Sequence, residues 1–315
     1  MAAQTYGKAL IPLIEIRPAD RPRTGAKAAN LAALLEAGFP VPDGFVICTE
    51  AFGGGFTELS SALKTQLEAA LGALGDCKVA VRSSAVAEDL PGASFAGQFE
   101  SVLGAGGLEA VTGAIRRCLE SATSPRATAY RAEHPNQASA AMAVLIQRMV
   151  PAEAAGVAFT ANPVTGDREE TLVSAVRGLG DRLVSGQASP DEWSVRGDQA
   201  VCHVAPEDAI SAEQVKEVAE LARRAEAQFG SPQDVEWALA GGRLYLLQAR
   251  PITRLAEQTV DPVAIEVEVP TGYWERDAAH WPEPVSPSFR FILPLMNRLV
   301  RVAMDEAGML FEELR

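Results

Sequence analysis

"QDVEWALAGGRLYLLQARPIT" occupies residues 233–253. Two alternating runs flank Gly241-Gly242 and Pro251 closes the second, the pattern of a β-hairpin. Asp234, Glu236, Gln248 and Arg250 fall at alternate positions, so each pair shares a strand face. Whether both pairs lie on one face depends on the loop. A two-residue turn at Gly241-Gly242 sets Glu236 opposite Leu247 and away from Gln248. A three-residue loop, 241–243, sets Glu236 opposite Gln248 and Asp234 opposite Arg250. The second register gathers a carboxylate, an amide oxygen and a guanidinium, which are the hard ligands and donor fork that a magnesium–polyphosphate group requires. The same four residues would also suit a solvated face with a cross-strand ion pair.

Working outward from the hairpin, the chain alternates helices with strands joined by short turns. The spacing of Leu31, Leu34 and Leu35 predicts a helix over 26–37, ended by Gly38, and a strand over 44–49 follows. A glycine break at 53–55 precedes a helix through Leu63, Leu67 and Leu71. The alternating run 79–84 reads as a strand that empties into the polar, glycine-containing loop 85–98. Helices are predicted over 107–121 and 125–133, strands over 143–150, 155–160 and 171–176, a turn at 161–167, a second glycine-rich loop from 178, and a helix over 212–229. Neighbouring strands joined by short turns imply an α+β fold rather than a doubly wound parallel sheet.

The composition narrows the function classes. The 315 residues are enough for two domains, and 48% hydrophobic residues can fill a sizeable core. A formal charge of −13, from 41 acids against 28 bases, argues against a nucleic-acid or anionic-membrane binder, which needs a basic face. Cys48, Cys77, Cys118 and Cys202 are far apart and form no C-x-x-C pair, so neither a zinc site nor a disulfide framework is expected. The first residues contain no signal-peptide apolar core, and the apolar stretch 289–304 is broken by Arg290, Pro294, Arg298 and Arg301. A cytoplasmic location is expected.

There is no G-x-x-x-x-G-K-[ST], no H-E-x-x-H and no G-x-S-x-G, and the three histidines, His134, His203 and His280, are isolated. What stands out instead is a set of cations beside glycines. Lys27 follows Gly25 in the first turn of its helix, Arg82 ends a strand before the loop holding Gly92 and Gly97, and Arg250 ends the hairpin. Singly, each would pass for a solvated charge or a surface ion pair.

Five blocks together resemble, in order and spacing, the ATP-binding domain of the phosphoenolpyruvate synthase and pyruvate phosphate dikinase family. They are "TGAKAANLAALLEAGFPVPDGFVI" (24–47), "VAVRSSAVAEDLPGASFAGQFESVL" (79–103), "VLIQRMVPAEAAGVAFTANPVTGD" (144–167), "GLGDRLVSGQASPDEW" (178–193) and the hairpin itself. The later stretch "GYWERDAAHWPEPVSPSF" (272–289) is most similar to the rifampicin phosphotransferase branch. The resemblance implies an ATP-grasp-like fold, two α+β subdomains clamping ATP. It implies that Lys27, Arg82 and Arg250 bind phosphates and serve catalysis, that the loop at Gly97 and Gln98 covers the triphosphate, and that Gln147, Met149 and Val150 form the adenine edge. Glu236 and Gln248 are implied as Mg²⁺ ligands, which favours the three-residue hairpin loop. Asp181 stands where the family often has Glu, one methylene longer, and the region between Thr49 and Val79 is short for the rifampicin branch.

The expected organisation is a first ATP-grasp subdomain over 1–140, a second over 141–254, a linker over 255–287 rich in proline and charge, and the start of a helical substrate domain over 288–315. The implied reaction is that of a dikinase: ATP's β-phosphate passes to a histidine on a swivelling domain and then to a small-molecule acceptor, giving AMP and phosphate. No histidine here sits in the family's acceptor setting, so the phosphohistidine and substrate domains are partners in cis or in trans. A direct ATP-grasp ligase would require a carboxylate acceptor site within the chain, for which no residue stands out, and two other readings stand closer. One is a separately encoded ATP-binding subunit of a phosphoenolpyruvate synthase- or phenylphosphate synthase-like complex. The other is a non-catalytic nucleotide-binding module.

Overall fold

The computed structural model describes residues 9–52, 58–75, 77–86, 100–121, 141–184, 186, 188–253 and 255. A first sheet contains β1 (Leu10–Pro12), β2 (Gly44–Ile47), β3 (Val79–Ala85), β4 (Ser101–Ala105) and β5 (Met142–Arg148) in the order β1-β2-β5-β3-β4. A second contains β6 (Ala154–Phe159), β7 (Thr171–Arg177), β8 (Asp191–Arg196), β9 (Gln199–Val204), β10 (Gln233–Ala240) and β11 (Arg243–Pro251) in the order β11-β10-β6-β7-β8-β9. Every neighbouring pair is antiparallel. With helices α1 (Arg21–Glu36), α2 (Ser61–Leu74), α3 (Gly107–Ser121), α4 (Asp181–Val184) and α5 (Ala212–Phe229), the fold is α+β, as the short turns implied.

Two apolar clusters hold these elements together. In one, Leu63 and Leu67 of α2 and Ile115 of α3 pack with Phe45, Ile47, Val81 and Ile146 of the first sheet. In the other, Leu31 and Leu34 of α1 join Val46 and Leu145 of the first sheet to Trp237 and Leu246 of the second, with Val218 and Ala222 of α5 completing the group. Helix α1 touches β3, β5 and β11, so it is the element that packs against both sheets.

Gly25 breaks α1 between its leading turn, 21–24, and the main helix from Ala26. It sits at φ 77, ψ 168, a conformation open essentially to glycine, and interrupts the helical turn before Ala26. A Cβ at this position would lie 2.2 Å from the carbonyl oxygen of Ser84. The missing side chain lets the helix start press onto β3, where the Ser84 hydroxyl accepts from the Ala28 amide at 3.2 Å. A side chain distant in sequence thus satisfies one orphan donor after the break.

The hairpin departs from both registers considered from the sequence. Gly241 and Gly242, at φ 57 and 68, make a two-residue turn, and Ala240↔Arg243 through Trp237↔Leu246 follow the register that such a turn dictates. A β-bulge then leaves Leu247 without a partner, and beyond it Glu236 faces Gln248 and Asp234 faces Arg250. The three-residue loop is therefore corrected to a two-residue turn plus a bulge. The extra residue lies within the strand, where counting loop residues does not find it.

Strand β5 hydrogen-bonds between β2 and β3, so the chain changes sheet after Arg148. Its partners are distant in sequence, and local patterning says nothing about which sheet a strand joins. Strands β1, β4 and β9 were not anticipated either. The expected helix 125–133, the loop positions Gly97 and Gln98, the linker from 256 and the helical start at 288–315 lie outside the described residues.

Candidate nucleotide site

Arg82 stands on β3 and reaches across to the hairpin of the other sheet. Its Nη2 donates to Glu236 Oε2 at 3.1 Å and its Nη1 to the carbonyl oxygen of Leu247 at 3.3 Å. Leu247 is the bulged residue, and a residue pushed out of the ladder needs a donor from elsewhere for its carbonyl. The third donor of the fork, Nε, is buried and has no hydrogen-bond partner among the described residues. An arginine held by two contacts with a buried donor to spare is suited to receive a further anionic oxygen.

Burial works against the charge of Glu236, but the cations of Arg82, Lys27 and Arg250 outweigh it and hold the carboxyl below the ordinary glutamate range. Lys27 comes from the first turn of α1. It is buried, and its Nζ donates to the carbonyl oxygen of Ser83, the residue after Arg82, at 3.0 Å. Next along β10, Asp234 Oδ2 accepts from Arg250 Nε at 2.9 Å and Nη2 at 2.7 Å. Burial pushes the Asp234 carboxyl above its usual range, and Arg250 offsets only part of that. Gln248, opposite Glu236, is buried beside these groups.

A cavity of about 600 Å³ opens beside this constellation. Residues of both sheets line it: Arg82 of β3, Gln147 of β5, Gly156 of β6, and Glu236 and Trp237 of β10. Met149, Val150, Ala155, Ala238 and Leu247 supply apolar surface, and Leu179, Gly180 and Asp181 close one side. Few polar groups converging on a largely apolar cleft is the usual form of a small-molecule site. Of the residues chosen from the sequence, Arg82, Gln147, Met149, Val150, Asp181 and Glu236 line the cavity. Lys27, Gln248 and Arg250 do not, and stand behind or beside its wall. Gly97 and Gln98 lie outside the described residues.

The Gln147 side chain is 3% exposed and donates to the Pro42 carbonyl at 3.2 Å, so its amide serves the fold. Asp181 opens α4, its Oδ1 accepting from the Arg182 amide at 3.0 Å. Leu247, Gly156 and Trp237 were missed from the sequence. A signal for Leu247 exists: the consecutive leucines 246 and 247 break the strand's alternation, as a bulge must.

Among the described residues, no three His, Cys, Asp or Glu side chains cluster as a metal cage would require. What the hairpin offers is the Glu236 carboxylate with an amide opposite, while the Asp234 carboxylate is taken up by Arg250. That donor set fits magnesium carried by phosphates, since this ion takes one or two carboxylates and fills its shell with phosphate oxygens and water. No helix among the described residues is long and apolar enough to cross a membrane.

The profile of the family described as "Pyruvate phosphate dikinase, AMP/ATP-binding domain" matches residues 55–205 and 196–268. The chain belongs to this family and carries its AMP/ATP-binding domain. Among curated proteins it is 32% identical over 346 residues to the uncharacterized phosphotransferase YvkC of Bacillus subtilis (strain 168), covering 92% of this chain and 42% of that protein. It is 39% identical to the phosphoenolpyruvate synthase of Pyrococcus furiosus, covering 60% of this chain and 28% of that one. It is 33% identical to a rifampicin phosphotransferase of Streptomyces sp, covering 79% and 36%. The chain thus spans 28–42% of the length of these three relatives.

Proposed function

We propose that this chain is the Mg-ATP-holding part of a dikinase-type phosphotransferase, its two sheets acting as an ATP-grasp-like clamp. The observation that carries this reading is Arg82, which spans the sheets to Glu236 at 3.1 Å, keeps a buried, unpartnered Nε and lines a cavity that also has apolar walls. Adenine would lie against Met149 and Val150. The triphosphate would meet Arg82 and Lys27, with Arg250 close by and the loop at Gly97 and Gln98 over it. Asp181 would face the nucleotide from the opposite side.

Magnesium bound to the phosphates would neutralise the transferring group, and Glu236 with Gln248 would hold it. This chain's own work is to bind, orient and surround the triphosphate with fixed cations, because phosphoryl transfer is mainly positioning and charge stabilisation. The β-phosphate would leave for a histidine on a phosphohistidine domain, supplied in cis or in trans, and from there reach a small-molecule acceptor, releasing AMP and phosphate. Names among the relatives support a phosphotransferase with an acceptor such as pyruvate or an antibiotic of the rifampicin kind.

Incubation of the chain with labelled ATP, magnesium and an isolated phosphohistidine domain from a phosphoenolpyruvate synthase tests this. The expected result is a labelled histidine domain with AMP formed in equal amount. ADP as the product, with no labelled histidine, would contradict the dikinase reading.

A further inference from the structure

Gly178-Leu179-Gly180-Asp181 leaves β7 and enters α4, and three of its residues line the cavity. We infer that Glu207, which does not line that cavity, is a positioning residue that fixes this loop from behind. Its two carboxylate oxygens hold the residues on either side of the loop. Oε2 accepts from the backbone amide of Arg177 at 2.7 Å, and Oε1 from Nη2 of Arg182 at 3.2 Å. The Arg177 side chain returns the grip, with Nε donating to the carbonyl of Glu207 at 2.7 Å and Nη2 to that of Asp208 at 2.6 Å.

The anchor is itself fixed. Asp191 on β8 is fully buried, and its carboxylate accepts from three consecutive amides: Glu207 at 2.8 Å and Asp208 at 3.2 Å on Oδ1, and Ala209 at 2.5 Å on Oδ2. Among the described residues Asp208 alone, other than glycines, has positive φ, at 48°. A non-glycine in that conformation is held by its surroundings, here by the carboxylate beneath it. A line of contacts therefore runs from the second sheet through Asp191, the 207–209 turn and Glu207 to both ends of a loop that lines the cavity. The Arg182–Glu207 pair alone would count for little, since Arg182 is half exposed. The backbone amide of Arg177 gives the carboxylate its directional hold.

This inference rests on the nucleotide-site reading, and titration of ATP into the full chain, with hydrogen exchange read peptide by peptide, separates the two. Glu207→Ala is expected to weaken ATP binding about tenfold, as loss of a group that orients a binding element typically does. Exchange over 177–182 should rise while the β10–β11 hairpin stays protected. Glu207→Gln, which keeps an acceptor for the Arg177 amide, should recover part of the affinity. Arg182→Ala should cost less than Glu207→Ala. Wild-type affinity in Glu207→Ala, or unchanged exchange over 177–182 in that variant, would overturn the inference. If Glu207→Ala does not fold, Glu207→Gln decides, and wild-type exchange over 177–182 together with wild-type affinity in that variant overturn it. A wild-type chain that binds no ATP would refute the nucleotide site instead, leaving exchange at 177–182 in Glu207→Ala to judge the anchoring.

Discussion

Arg82 Nη1 donates to the carbonyl oxygen of Leu247 at 3.3 Å, and Leu247 is the residue at which β11 steps out of register with β10. The bulge therefore does two things. It moves Gln248 and Arg250 onto the face of Glu236 and Asp234, and it frees a carbonyl that anchors Arg82 of the other sheet.

Arg82→Lys keeps the charge and loses the fork. One ammonium cannot occupy the positions of three guanidinium nitrogens, so the Leu247 carbonyl or the Glu236 carboxylate is left without its donor. Urea unfolding should show a loss of about 1–3 kcal/mol, and ATP affinity should fall with it. Wild-type stability in the lysine variant would mean that the fork contributes nothing.

Glu236 gives a pH signature. Its folded-state carboxyl lies below the ordinary glutamate value, so the stability it contributes is complete above that value and is lost as pH falls through the depressed one. The stability gap between wild type and Glu236→Gln should be constant above about pH 5 and shrink below about pH 4. Urea titrations at several pH values measure it. A gap that widens on acidification would reverse the assigned direction.

Gly25→Ala puts a Cβ 2.2 Å from the Ser84 carbonyl oxygen at a φ of 77°. Backbone strain alone costs about 1–3 kcal/mol, and relief of the clash must lift the start of α1 from β3. The melting temperature should drop and Lys27 should lose its contact with Ser83, weakening ATP binding further. An alanine variant as stable and as tight-binding as wild type would show that the close approach is not required.

The sequence was most legible where a signal was local. Helix α5 keeps its predicted ends because Ser211 and Gln214 form a capping box and Gly230 a left-handed cap. Lys27 and Arg82 stand out as cations beside glycines and Glu236 as a carboxylate in the hairpin's alternation, but their expected roles come from the five-block resemblance. Other features depend on partners distant along the chain. The membership of β5 in the first sheet is set by β2 and β3, the Gln147 amide is directed by Pro42, and Glu207 gains meaning only when the 207–209 turn folds onto Asp191. The bulge at Leu247 lies between these cases, since its double leucine is visible but its consequence for register requires both strands.

The most direct measurement is calorimetric titration of ATP and a non-hydrolysable analogue, with and without Mg²⁺, into wild type and Glu236→Ala. The account predicts micromolar-range binding, on the order of 8 kcal/mol, that is strengthened by Mg²⁺ in wild type and insensitive to it in the variant. Equal magnesium dependence in both proteins would remove the metal from the hairpin, and an absence of nucleotide binding in wild type would contradict the site itself.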